Sequence, residues 1–130
     1  MSKGYTGWAL ADAERRRLLE RFPPAYPSVV AEHVTHSFGV GPGHPLPKET
    51  EGRVVGVADD GRGVQALVVE IAGGIRRPDG SVFHVTWSLG PGRRPRESND
   101  VLAERGWTAV EPVPLALEPR FFPLRGTRRR

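Results

Sequence analysis

The chain has 130 residues, no cysteine and a net charge of +4, which sets it at the size of one domain and excludes disulfides and thiolate metal sites. No apolar run approaches the roughly 20 residues that cross a bilayer, and the first residues lack the apolar stretch of a secretory leader, so a cytoplasmic protein is expected. Its 16 glycines and 13 prolines fill about 22% of the chain, just under the level of disordered segments, and predict a loop-rich fold containing β-structure.

Gly4 to Leu10 alternates around Tyr5 and Trp8 and reads as a first strand. Asp12 suits an N-cap, and Ala13 to Arg21 predicts a helix whose apolar face is Leu18, Leu19 and Phe22, stopped by Pro23-Pro24. Val29 to Phe38 reads as one long strand. Gly39 to Pro47 is rich in Gly and Pro and predicts a loop able to act as a flap. Gly52 to Ala58 and Val64 to Ile71 are strand-like runs joined by Asp59-Asp60-Gly61-Arg62-Gly63, a hairpin signal. A second turn, Arg77-Pro78-Asp79-Gly80, leads into a strand over Val82 to Leu89. Ser98 or Asn99 predicts the cap of a short helix to about Arg105, and Trp107 to Leu117 an edge strand interrupted by Pro112 and Pro114. Strands with a helix near each end predict the α+β class, curved antiparallel sheets with both helices packed on one side, outside the strands. One domain over 1–124 and a basic tail over 125–130 complete the organisation.

Two of these strands carry the same phrase. His33-Val34-Thr35-His36-Ser37-Phe38-Gly39 matches His84-Val85-Thr86-Trp87-Ser88-Leu89-Gly90 at five of seven positions. Side chains alternate along a strand, so His33, Thr35 and Ser37 are expected on one face with Val34, His36 and Phe38 on the other; His84, Thr86 and Ser88 repeat the polar stripe. Residues two apart on a strand are separated by roughly 6.8 Å, close to the span of a phosphate held by hydrogen bonds of about 2.8 Å on each side. Two imidazoles and two hydroxyls around one phosphate form the acid/base and anion-binding set of a phosphodiesterase that needs no metal or cofactor. His33 and His36 do not suggest a metal pair, because three positions apart on a strand they point to opposite faces.

The paired His-x-Thr strands resemble the signature of the 2H phosphoesterase superfamily, which includes the 2′,5′ RNA ligase-like proteins and the cyclic phosphodiesterase domain of fungal tRNA ligases. The resemblance implies a compact bilobal fold in which each lobe contributes one motif, with His33 and His84 as the acid/base pair and Thr35 and Thr86 as phosphate ligands. It implies hydrolysis of 2′,3′-cyclic phosphates, or related 2′,5′ esters, at RNA ends or in nucleotides. The chain departs from the usual pattern at the fourth motif position, where the family has an apolar residue and this chain has His36 and Trp87. The motifs also lie only 51 positions apart, so the intervening fold is expected to be trimmed.

Other residues enter as candidate substrate contacts. Tyr5 and Phe83 are placed to stack a nucleobase, and Ser37 and Ser88 extend the polar stripes. The clusters Arg76-Arg77 and Arg93-Arg94 with Arg96 offer cations to a polyanion, with Arg76 and Arg94 as named candidates. The expected partner is an RNA end or a small cyclic nucleotide, with no membrane, for a monomer. The rival readings are a non-catalytic module that binds the same ligands and an adaptor whose repeat is merely two similar strands.

Overall fold

Eight strands and two helices follow one another along residues 3–124, the part of the chain that the computed structural model describes; the basic tail at 125–130 lies outside the described residues. In chain order they are β1 (Gly4–Ala9), α1 (Asp12–Arg21), β2 (Ser28–Val29), β3 (His33–Val40), β4 (Glu51–Asp59), β5 (Val64–Glu70), β6 (His84–Leu89), α2 (Glu97–Arg105), β7 (Thr108–Ala116) and β8 (Glu118–Pro123). The strands make two antiparallel sheets, ordered β3-β1-β8 and β2-β6-β5-β4-β7. The class is α+β. Among the described residues no helix is long and apolar enough to cross a membrane.

The stretch from Val29 to Phe38 is not one strand. Ser28–Val29 pairs with β6 in the five-stranded sheet, and His33–Val40 pairs with β1 in the other. Between them Ala31, fully buried, takes a left-handed φ of 45°, a conformation that interrupts extended pairing and redirects the chain. The crossover stays hydrogen-bonded throughout: Val30 and Ala31 donate backbone N–H groups to Trp87 and Thr86, each at 2.9 Å, and Glu32 accepts from Leu10 at 3.0 Å. From α1, Arg15 Nε donates to the Ala31 carbonyl at 3.0 Å. The first motif strand therefore starts beside the second, at the seam of the two sheets.

Alternation along β5 divides the core. Leu67 and Val69 pack with Trp8, Val34, Val85 and Trp87, and with Leu18 and Phe22 of α1. Val64 and Val68 turn the other way and pack with Leu89 and with Val101 and Leu102 of α2. The helices thus lie outside the strands but cover opposite faces of the five-stranded sheet rather than one side. Each large apolar side chain buried this way contributes about 1.5–3 kcal/mol. The two buried indoles also satisfy their N–H groups, Trp87 on Phe22 O at 2.7 Å and Trp8 on Glu49 O at 2.8 Å.

No strand is expected after Leu117, yet β8 runs antiparallel to β1. It is an edge strand, where the missing N–H groups of Pro119 and Pro123 interrupt no interior ladder. The capping of α2 also differs from expectation. Neither Ser98 nor Asn99 caps it; the Glu97 carboxylate accepts from the Arg94 backbone N–H at 2.7 Å instead.

Candidate active site

Both motif strands carry a β-bulge at the same place. Gly7 pairs with Thr35 while Thr6 pairs with Ser37, leaving His36 as an extra residue; Ala66 pairs with Thr86 while Gln65 pairs with Ser88, leaving Trp87 extra. A bulge lets two successive side chains point the same way and shifts the alternation beyond it. Before the bulges, His33 and Thr35 lie on the face opposite Val34, and His84 and Thr86 on the face opposite Val85. After the first bulge, Ser37 joins His36 on the core side, with its hydroxyl 2.8 Å from His36 Nδ1. Phe38, expected beside Val34, turns to the face of His33 instead.

The fourth motif position now has a structural account. Each bulged residue packs behind its own motif: Trp87 is fully buried, and the half-buried His36 packs edge-on to Trp8 and within 25° of parallel to Phe83. Burial lowers the pKa of His36, and His44, in the exposed loop after β3, adds a smaller effect in the same sense but does not line the cleft.

His33, Thr35, His84 and Thr86 line one cleft of about 310 Å³, together with Tyr5, Glu32, Phe38, Arg77, Arg96 and Asn99. The volume is at the lower bound of the roughly 300–1,000 Å³ usual for small-molecule sites. Burial and the Arg77 charge hold both imidazoles neutral, with pKa values pushed down to about 4. His84 is nine-tenths buried, and its Nδ1 lies 2.9 Å from the Val82 carbonyl oxygen. That oxygen only accepts, so in the neutral ring Nδ1 carries the proton and Nε2 keeps the basic lone pair. His33 is less enclosed, flanked by the rings of Tyr5 and Phe122 with each centroid 5.1 Å away.

Arg77 is the buried cation of this cleft, which Arg96 also lines from an exposed position. Its side chain is only 8% exposed, and its carboxylate contact, Asp79, is a solvent-facing group 3.9 Å away. One amino group donates to Asn99 Oδ1 at 2.9 Å, while the buried Nε–H has no hydrogen-bond partner among the described residues. An enclosed guanidinium with a spare donor is destabilising by itself, a cost that an anion in the cleft would offset.

The two threonines differ in their surroundings. The Thr35 side chain makes no hydrogen bond among the described residues and is free for a ligand. The Thr86 hydroxyl lies 2.9 Å from Ser98 Oγ and 3.2 Å from Pro95 O. Pro95 O already accepts the Ser98 backbone N–H at 3.1 Å. Ser98 can therefore donate to Thr86 while the Thr86 proton turns to a ligand, leaving no carbonyl unpartnered.

Several sequence candidates fall elsewhere. Ser37 is turned away by the bulge. Ser88, fully buried, donates to Gln65 Oε1 and accepts from the Tyr26 backbone N–H, holding the segment after α1. Phe83 is buried edge-on against Trp8 in the main core. Arg76 reaches the Gly80 carbonyl beside a separate cleft, because the turn that follows it puts Arg77, not Arg76, at the site. Arg94 is exposed and engaged through its backbone by Glu97, whereas Arg96 lines the cleft. Arg77 and Phe38 were the residues no periodicity could assign, since a turn and a bulge decide where they point. Comparison with known proteins adds no relative: no family model, no curated protein and no solved structure matches the chain.

Proposed function

We propose that the protein is a phosphodiesterase of the 2H phosphoesterase type, opening 2′,3′-cyclic phosphates, or related 2′,5′ esters, of RNA ends or nucleotides by acid/base chemistry of two histidines. The observation that carries this reading is the meeting of both His-x-Thr pairs around a buried, incompletely partnered arginine in one cleft. Arg77 and Thr35 bind the non-bridging phosphate oxygens, and Ser98 orients Thr86 toward the same group. His84, with its tautomer fixed by Val82, takes a proton from water as the water oxygen bonds to phosphorus. The bond from phosphorus to one ribose oxygen breaks, and protonated His33 gives its proton to that oxygen. The anion itself favours this protonated form, since a negative charge beside an imidazole raises its pKa. The ester remains anionic, and one proton has passed from His33 to the product while another has passed from water to His84.

The test is turnover of 2′,3′-cyclic nucleotides, cyclic-phosphate-ended RNA and 2′,5′-linked oligonucleotides. His33→Gln or His84→Gln is expected to lower turnover by about 10²- to 10⁴-fold; full activity in either variant rejects the pairing. A second reading, a module that binds such ends without cleaving them, is favoured by the low proton affinity of both imidazoles, which leaves little acid form before an anion arrives. Saturable binding with no product on prolonged incubation selects it.

A further inference from the structure

The bulge after Thr35 leaves a ring where the cleft opens. Phe38 is 63% exposed, more than Val29, Leu46 or Leu124, the other exposed large apolar side chains among the described residues. It is not isolated. Its cross-strand partner Tyr5 lies 5.9 Å away with the rings within 16° of parallel, and Tyr5 stacks in turn on Phe122 at 4.9 Å and 15°. One ring from each strand of the three-stranded sheet forms a row beside His33, and the row ends at Phe38.

Charge gives the cleft a direction. Arg77 acts on both imidazoles, whereas Glu32 acts on Tyr5, raising its pKa in addition to the effect of burial. A phosphate is drawn to Arg77, and to Arg96 on the same lining, and is repelled by Glu32 near Tyr5. The group that reaches Tyr5 and Phe38 must then be uncharged, flat and able to offer hydrogen-bond donors to a carboxylate. A nucleobase with its ribose hydroxyls has this chemistry, and stacking on an aromatic face is available to every base.

We infer that the Phe38–Tyr5 row seats the nucleobase of the same nucleoside whose phosphate lies between the two imidazoles. The substrate class is then a nucleotide with its base on the ribose that bears the reacting phosphate. A sugar cyclic phosphate lacking a base fits less well, as does an ester whose base sits on a second, distant ribose. The inference rests on the phosphodiesterase reading and narrows it.

The test compares adenosine 2′,3′-cyclic phosphate with methyl riboside 2′,3′-cyclic phosphate, which has the same reacting group and no base. The readout is the ratio of kcat/KM between the two esters or, for a protein that binds without turnover, the ratio of Kd. The native chain is expected to prefer the adenosine ester, and Phe38→Ala to lower that preference by roughly 5- to 140-fold. The circular dichroism spectrum and melting temperature of Phe38→Ala report whether the variant is folded, and Phe38→Trp should keep the preference. Equal handling of both esters by the native chain, or equal losses on both in Phe38→Ala, overturns the base seat and leaves the phosphodiesterase reading standing. If the native chain neither binds nor converts either ester, both fall together.

Discussion

Lowering the pH from 7 to 5 should destabilise the fold through the two cleft histidines. In the unfolded chain each titrates near its ordinary value of about 6.5, whereas in the fold both sit at about 4. A depressed folded pKa means that the unfolded state binds more protons between those values, so stability is present above the unfolded pKa and is lost as pH falls toward the folded one. For pKa values of about 6.5 and 4, the difference between pH 7 and pH 5 is about 1.8 kcal/mol per imidazole, or up to about 4 kcal/mol for the pair. His36, also depressed, adds in the same sense. The carboxylates with lowered pKa, Glu14, Asp60, Asp79 and Glu97, act mainly below this window, because unfolded carboxylates titrate near 4. Urea unfolding at the two pH values measures the effect, which corresponds to a midpoint shift of about 1–4 M for ordinary m-values. His33→Gln with His84→Gln should abolish most of that shift. If the double variant keeps the native pH dependence, the imidazoles are not held neutral by the fold, and the electrostatic account of the cleft is wrong.

Arg77→Met should separate affinity from stability. Loss of charged hydrogen bonds worth about 1.5–3 kcal/mol predicts 10- to 150-fold weaker binding of adenosine 2′-monophosphate by calorimetry, while removal of a poorly paired buried cation leaves the urea midpoint unchanged or higher; unchanged affinity contradicts the assigned role. Gly7→Ala tests the close approach of β1 to the first motif. A methyl there would sit 2.0 Å from the Val34 carbonyl oxygen, so β3 must shift, destabilising the fold by about 1–3 kcal/mol and weakening phosphate binding by displacing Thr35. An unaltered melting temperature refutes that.

The parts of the molecule legible in the sequence are those governed by local patterning. The Asp59–Gly63 turn between two β-rich runs, the helix ended by Pro23-Pro24, and the phrase repeated at His33 and His84 are all short-range signals. The two-residue spacing from His to Thr was enough to place both pairs on strand faces, and the seam of the sheets brings them to a common cleft. What sequence periodicity could not carry is every irregularity that re-aims a side chain. A left-handed residue at Ala31 divides a run that reads as continuous. The bulges at His36 and Trp87 withdraw Ser37 and Ser88, and the first of them presents Phe38. Phe83 next to a motif histidine looked available to a base, but strand alternation carries it to the core. The Arg77-Pro78 turn selects one arginine of an adjacent pair, a choice that charge counting cannot make.

The crossover at Val30–Glu32 makes the cleft more sensitive to chain length than to residue identity. Its contacts to β6 and to Arg15 are made by backbone groups, which a change of side chain leaves in place except at Ala31, buried at a left-handed φ. One residue inserted between Val29 and His33 would instead invert the facing of the whole first motif, since a strand changes sides with every residue. By that reasoning the Gly41–Thr50 loop is a place where this chain tolerates lengthening, and the three-residue bridge before His33 is where it does not.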